Sequence, residues 1–176
     1  MPDGTLNYPE LTEELLSQFS TLILQCQGAA DTRPLVISLL TALCQHLNLE
    51  LHPDQYKDLE FTLTPYGKAV SPTTAAQCAE DIERSRVFIQ AICMAVQERL
   101  TPERPVLVLY AGTGPLGWLL LPLLPLFTAQ QLQVTALDIH QWSLQSLRRL
   151  TDRFAVSDRI CDWVCADATA WQPQAG

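Results

Sequence analysis

The chain has 176 residues, 48% of them hydrophobic, with Lys+Arg 11 against Asp+Glu 19 and a formal charge of −8. That length holds one domain with room for a helical extension, and so apolar a composition excludes a disordered or low-complexity chain. The acidic balance argues against a nucleic-acid partner, which needs a basic face against the phosphate backbone.

The amino end is acidic and polar, so it reads as no signal peptide. From about residue 10 to 27, Leu11, Leu15, Leu16, Phe19, Leu22 and Ile23 recur at a helical period behind acidic residues. A break is expected from Gly28 to Arg33. Pro34 then opens a second helix, with Leu35, Leu39, Leu40, Leu43 and Leu47 on one stripe. His46, near its carboxyl end, reads as a surface or dipole-facing histidine rather than a ligand.

His52 to Pro72 reads as irregular, punctuated by Pro53, Pro65, Gly67 and Pro72. Tyr56, Phe61, Leu63 and Tyr66 are expected to pin this loop to the core, with a cover over a neighbouring site as the other role open to it. A third helix, capped by Thr73 or Thr74, runs to about Leu100. Its stripe is Ala75, Cys78, Ile82, Phe88, Ile89, Ile92, Val96 and Leu100.

The stretch that organises the rest begins at Pro105. Val106 to Leu109 is a continuous apolar run of the kind found in strands covered by helices on both faces. Gly112, Gly114 and Gly117 follow, and Pro115 suits the first turn of a helix over Leu116 to Phe127, bent at Pro122 and Pro125. That run falls short of the ~20 residues that span a bilayer. Strand, glycine turn and helix start offer backbone N–H groups to a ligand at a strand's carboxyl end. Two further strand-like runs, Leu132 to Leu137 and Ile160 to Ala166, end at Asp138 and Asp167. Three parallel strands then deliver a ligand group each to one sheet edge. The helix between them, about Gln141 to Phe154, carries Arg148, Arg149 and Arg153 on what reads as a solvated face.

Six cysteines, at 26, 44, 78, 93, 161 and 165, form no C-x-x-C pair and read as core thiols in a reducing cytosol. Cys161 and Cys165 share one face of a strand, and no histidine spacing supports a metal there.

Residues 72 to 171 resemble the class I S-adenosylmethionine-dependent methyltransferases. The likeness is carried by Ala111-Gly112-Thr113-Gly114-Pro115-Leu116, Leu137-Asp138-Ile139 and Ala166-Asp167-Ala168. Within that superfamily, Asp81 to Phe88 and the Gly-Pro-Leu after the glycines are similar to the protein arginine methyltransferases. The implied fold class is α/β, a Rossmann-like parallel sheet preceded by helices. The implied division is a helical extension with its cover loop over residues 1–71 and a cofactor half-domain over residues 72–176.

The resemblance implies that backbone around Ala111, Gly112, Thr113 and Gly114 cradles the methionine portion of S-adenosylmethionine. Asp138 would accept the ribose hydroxyls and Ile139 would pack on the adenine. Asp167 would take the exocyclic amine, with the Ala168 N–H on a ring nitrogen. Arg84, with Arg86 as competitor, falls where a guanidinium meets the methionine carboxylate. The plainer alternatives stay open: strand-end or helix-cap carboxylates for Asp138 and Asp167, and an exposed helix face for Arg84. Tyr110 stands two before the first glycine, where the superfamily has an acid, and either supplies a hydroxyl or closes the pocket.

Neither an Asn/Asp-Pro-Pro-Tyr type motif nor a paired-glutamate loop occurs. The resemblance therefore implies a cytoplasmic methyltransferase truncated after its third strand, whose acceptor-choosing half lies outside this chain and which has little activity alone. The acceptor is unidentified, with a protein or small molecule favoured, and no membrane partner is expected. Two other classes remain: a non-catalytic methyltransferase-fold interaction module, and an NAD-binding Rossmann protein. Stopping after three strands predicts an open sheet edge prone to self-association or to capture of a complementing chain.

Overall fold

The computed structural model describes residues 10–26, 28–51, 58 and 60–173. Helix α1, Glu13–Gln25, starts at Thr12, whose hydroxyl accepts the Leu15 N–H at 3.1 Å, while Glu13 and Glu14 lie where the helix dipole favours anions. Helix α2 spans Ala29–Leu47 and closes on Asn48 in the left-handed region. Of the expected break from Gly28 to Arg33 only Gly28 lies outside a helix, in extended conformation, and Pro34 stands inside α2 instead of opening it. A proline so near a helix start forfeits one bond while Val36, Leu39 and Leu43 bury completely behind it, and that burial outweighs the loss.

The segment read as irregular contains a β-hairpin. Strands β1, Thr62–Thr64, and β2, Gly67–Ala69, pair antiparallel with Thr62 opposite Ala69. Its aromatic and aliphatic side chains do not pin it to the core: Leu63 and Tyr66 are 76% and 72% exposed, and Phe61 is exposed as well. Tyr56 lies outside the described residues. In so short a hairpin, alternation sends Leu63 outward once Thr62 and Thr64 face the protein.

Ser71, not Thr73 or Thr74, caps helix α3, Pro72–Gln77. A 3-10 turn over Cys78–Glu80 follows, and the Asp81 carboxylate accepts the Arg84 N–H at 3.1 Å to start helix α4, Ile82–Gln97. That restart shifts the helical phase, so Cys78 and Phe88 face outward instead of joining the expected stripe.

Strands β3, Val106–Ala111, β4, Leu132–Asp138, and β5, Ile160–Cys165, form a parallel sheet with β4 in the middle. Together with the helical amino-terminal region this makes an α/β fold. The face bearing Val106, Val108, Leu132, Val134 and Ala136 joins one apolar core with α1, α2, α4 and helix α5, Gln141–Arg153. The opposite face is uncovered, against the expectation for β3: Leu107 is 76% and Leu109 51% exposed, beside Gln133 and Thr135. An unbroken apolar run records that a strand is hydrophobic on both sides, not that both sides have neighbours.

No α-helix follows the glycines. Residues 114–120 turn, and Leu121–Leu126 is a 3-10 helix with Leu121, Leu123 and Leu124 buried. Pro122 and Pro125 each remove an N–H and leave too few i→i+4 donors for an α-helix. Gly117, at φ +56°, turns the chain into this segment. Cross-links hold it: Trp118 Nε1 donates to Ser85 Oγ at 2.8 Å, and the Phe19 and Trp118 rings lie 5.3 Å apart.

The arginines of α5 are exposed, as expected, and two of them also make tertiary contacts. Arg149 donates to the His46 carbonyl and Arg153 to the Leu11 carbonyl, tying α5 to the first two helices. The same two cations, after burial, hold the His46 imidazole below its ordinary pKa. Cys26, Cys44 and Cys93 are buried, whereas Cys78, Cys161 and Cys165 are exposed and so are not core thiols. Among the described residues no helix is long and apolar enough to cross a membrane.

Candidate functional site

The carboxyl ends of the three strands are locked together. The Gly112 N–H donates to the Leu137 carbonyl at 2.8 Å, and the Ala166 N–H to the Asp138 carbonyl at 3.1 Å. Gly112, Asp138 and Asp167 are thereby brought to one edge, as three parallel strands dictate.

Each glycine of the bend sits at positive φ, but they do different things. A Cβ on Gly112 would meet nothing within 4 Å and faces open space. On Gly114 it would lie 3.2 Å from the Ala75 Cβ, so this glycine lets α3 approach the bend. On Gly117 it would lie 2.5 Å from Leu147 Cδ1, so this one seats the bend on α5. Only the first leaves its space to a ligand.

Two chambers flank the contact between Gly114 and Ala75. One, of about 220 Å³, is lined by Gly112, Gly114, Asp138, Ile139, Asp167 and Ala168, with Ser143 of α5 in its wall and Thr64, Ala69, Val70, Pro72 and Ala75 over it. The other, of about 290 Å³, is lined by Arg84, Tyr110, Ala111, Gly112, Thr113 and Gly114, with Cys78, Trp118 and Leu119. Each falls below the 300–1,000 Å³ usual for a small-molecule site, so a ligand of that size needs both. A larger concavity among the described residues, about 1120 Å³ beside α2, includes none of the residues that the resemblance assigns to the cofactor.

Asp138 is 5% exposed. Its Oδ2 accepts the Gly114 N–H at 2.8 Å and the Thr113 hydroxyl at 3.4 Å, and Oδ1 accepts the His140 N–H at 2.8 Å. This carboxylate therefore already organises the bend. A carboxylate has about four lone-pair sites, which leaves room for a further donor. Asp167 is half-buried, and its Oδ1 accepts the Thr169 hydroxyl at 2.7 Å and N–H at 2.9 Å. Those bonds, with a smaller contribution from the Thr64 side chain, hold its carboxyl below the ordinary range and keep it an ionised acceptor.

At the far end, Arg86 is committed to Glu83 and Gln90. The Arg84 guanidinium lies 5.8 Å from the Phe88 ring centroid and hydrogen-bonds none of the described residues. Arg84, rather than its competitor, borders the second chamber. The Tyr110 hydroxyl accepts the Leu119 N–H at 3.4 Å, and burial pushes its pKa up to about 12, so it remains a neutral phenol in the chamber wall. The arginine and the carboxylates lining the two chambers are kept apart: Arg84 borders one, Asp138 and Asp167 the other. A ligand with an anionic group at one end and hydrogen-bond donors at the other matches that polarity.

Sequence reasoning did not single out four of the residues around the site. His140 Nδ1 lies 3.4 Å from Asp138 Oδ1 while its Nε2 is 3.0 Å from Thr62 Oγ1, so the hairpin is joined to the carboxylate through this ring. Thr64 of the same hairpin lines the chamber together with Asp167. The alternation of Thr62-Leu63-Thr64 before Pro65-Tyr66-Gly67 was a legible hairpin signal. Nothing in the sequence announced the partners of His140, or Ser143 in the chamber wall. No group of His, Cys, Asp or Glu side chains suited to a metal ion occurs among the described residues. No family model, curated protein or solved structure matches the chain.

Proposed function

We propose that the chain is the S-adenosylmethionine-binding part of a cytoplasmic class I methyltransferase with a Rossmann-like sheet, acting on a protein or small-molecule acceptor. One observation carries the reading: two chambers adjoining at the glycine bend, with the Arg84 guanidinium at one end and two strand-end carboxylates at the other. The ligand's carboxylate would meet Arg84, its backbone contacts would come from Ala111 to Gly114, its ribose would face Asp138 and its adenine would lie between Ile139 and Ala168 against Asp167.

The residues present suit such a group. Gly112 leaves open space above its Cα, and Ser143 Oγ is a buried polar atom with no partner in the wall of the carboxylate chamber. When bound, the cofactor supplies an electrophilic methyl on sulfur, which needs positioning and water exclusion more than acid–base chemistry. The chain's own contribution is to grip both ends, to orient them across the bend and to close the hairpin over the chamber. Its charged and polar groups bind; none is assigned as an acid or base.

The dinucleotide alternative fares worse on a specific point. It needs an α-helix amino terminus under the pyrophosphate, and a turn and 3-10 segment follow the glycines instead. The interaction-module alternative draws on the bare β3 face at Leu107 and Leu109. There the reading puts self-association or a complementing chain, and light scattering showing a monomer at high concentration counts against it.

Titration calorimetry with S-adenosylmethionine, S-adenosylhomocysteine and NAD tests the function. Saturable binding of the first two, weakened at least tenfold by Arg84→Ala, is expected. Tighter binding of NAD, or none of the three, overturns it.

A further inference from the structure

We infer that Ser143 is a ligand-contact residue, whose hydroxyl donates to a ring nitrogen of the heterocycle held in the carboxylate chamber. The inference rests on the proposed nucleoside function and adds a specificity-determining contact to it.

Ser143 stands in the first turn of α5 and is 0% exposed, and its Oγ has no hydrogen-bond partner among the described residues. Buried polar side chains nearly always have partners, and a serine inside a helix usually bonds back to the carbonyl four residues earlier. Here that carbonyl, on Ile139, takes the Cys165 thiol instead. The same residue lines the chamber with Asp138 and Asp167.

The chemistry of the neighbours says what the orphan group meets. Leu137, Ile139 and Ala166 are apolar or small walls, suited to the faces of a flat ring. Asp167 is an acceptor and takes an N–H of the ring's amino substituent. With the Ala168 N–H on one ring nitrogen, the serine hydroxyl, which unlike the Thr64 hydroxyl is left without a partner among the described residues, is a further neutral donor in the chamber wall, and a second unsubstituted ring nitrogen is its acceptor. An amino-substituted nitrogen heterocycle satisfies both; a ring with an oxo group in place of the amine sets two acceptors against each other at Asp167.

The test is Ser143→Ala, read in two ways. Thermal unfolding of the ligand-free variant should give a Tm about 2–4 °C higher, because an unsatisfied buried hydroxyl is removed from the native state. Calorimetric affinity for S-adenosylhomocysteine should fall about 3- to 10-fold. Deaza analogues, with one ring nitrogen at a time replaced by CH, complete the cycle: one of them should bind wild type more weakly and bind the alanine variant no worse than the parent ligand does. An unchanged or lower Tm means the hydroxyl is already satisfied and overturns the inference. A raised Tm with unchanged affinity overturns it too, because the orphan is then a packing defect. Wild type that binds no nucleoside overturns the proposed function and this contact together, whereas wild type and variant binding alike overturns the contact alone.

Discussion

The candidate site has two walls of opposite construction. One is the sheet wall, where β3, β4 and the glycine bend are tied by backbone hydrogen bonds and by a carboxylate that is almost sealed from water. The other is the hairpin wall, whose large side chains point outward and which meets the site through Thr62 on His140, with Thr64 beside Asp167 in the chamber lining. The first is held by burial and by buried hydrogen bonds, which are costly to break. The second is held by a few part-exposed polar contacts that water can replace at little cost. The chamber of about 220 Å³ between them is smaller than a ligand of ordinary size, and the hairpin is the wall that can yield to one.

Changes to the sheet wall should cost most. Gly117→Val puts its first carbon 2.5 Å from Leu147 Cδ1 at a φ of +56°, and denaturant unfolding should show a loss of about 3–5 kcal/mol. A cost under about 1 kcal/mol would mean that the bend and α5 are less tightly packed than their separation says. Asp138→Ala strands the Gly114 and His140 N–H groups, for an expected loss of about 2–4 kcal/mol together with nucleoside binding. Retained binding in a folded variant would show that this carboxylate serves the bend alone.

The hairpin wall should respond in the reverse way. Thr62→Val with Thr64→Val keeps the shape and removes both hydroxyls, so global stability should move by less than about 1 kcal/mol. Hydrogen exchange at Gly67 to Ala69 should nonetheless rise several-fold while Val134 and Ala136 stay protected. Equal acceleration in both regions would erase the distinction between the walls. The smallest effect is that of acid. Asp167 has a folded pKa below its unfolded value of 3.8, so its contribution is present above about pH 4 and is lost as pH falls through the folded value. Asp58, at the hairpin's base, accepts the Ser71 N–H at 3.0 Å and is shifted the same way: burial opposes the shift, and the Ser71 and Lys68 contacts outweigh it. Exchange at the hairpin should therefore accelerate below about pH 3.8 before the sheet unfolds, and a pH-independent hairpin would contradict this.

The sheet wall was also the legible one. Strand runs ending at Asp138 and Asp167 give β4 and β5 within a residue: β4 is written in the apolar residues of its buried face, and each run ends in a carboxylate, although β5 itself is largely exposed. What was misread depends on distant partners. Leu116 to Phe127 has a helix's composition and becomes turn and 3-10, since Pro122 and Pro125 deny it donors. Asp81 restarts α4 in a new phase, which no hydrophobic period records. The uncovered side of Leu107 and Leu109 is invisible in a strand that is apolar on both faces. Ser143 reads as an ordinary helix-start serine until its missing partner is seen in three dimensions.

The most direct measurement is amide chemical-shift mapping during titration with S-adenosylhomocysteine. The tips of all three strands lie around one chamber, so the Gly112, Ile139 and Ala168 amides should move together with one saturation curve. Shifts confined to the surroundings of Val36 and Leu40, or no saturable shifts at all, would contradict a nucleoside lying across the strand ends.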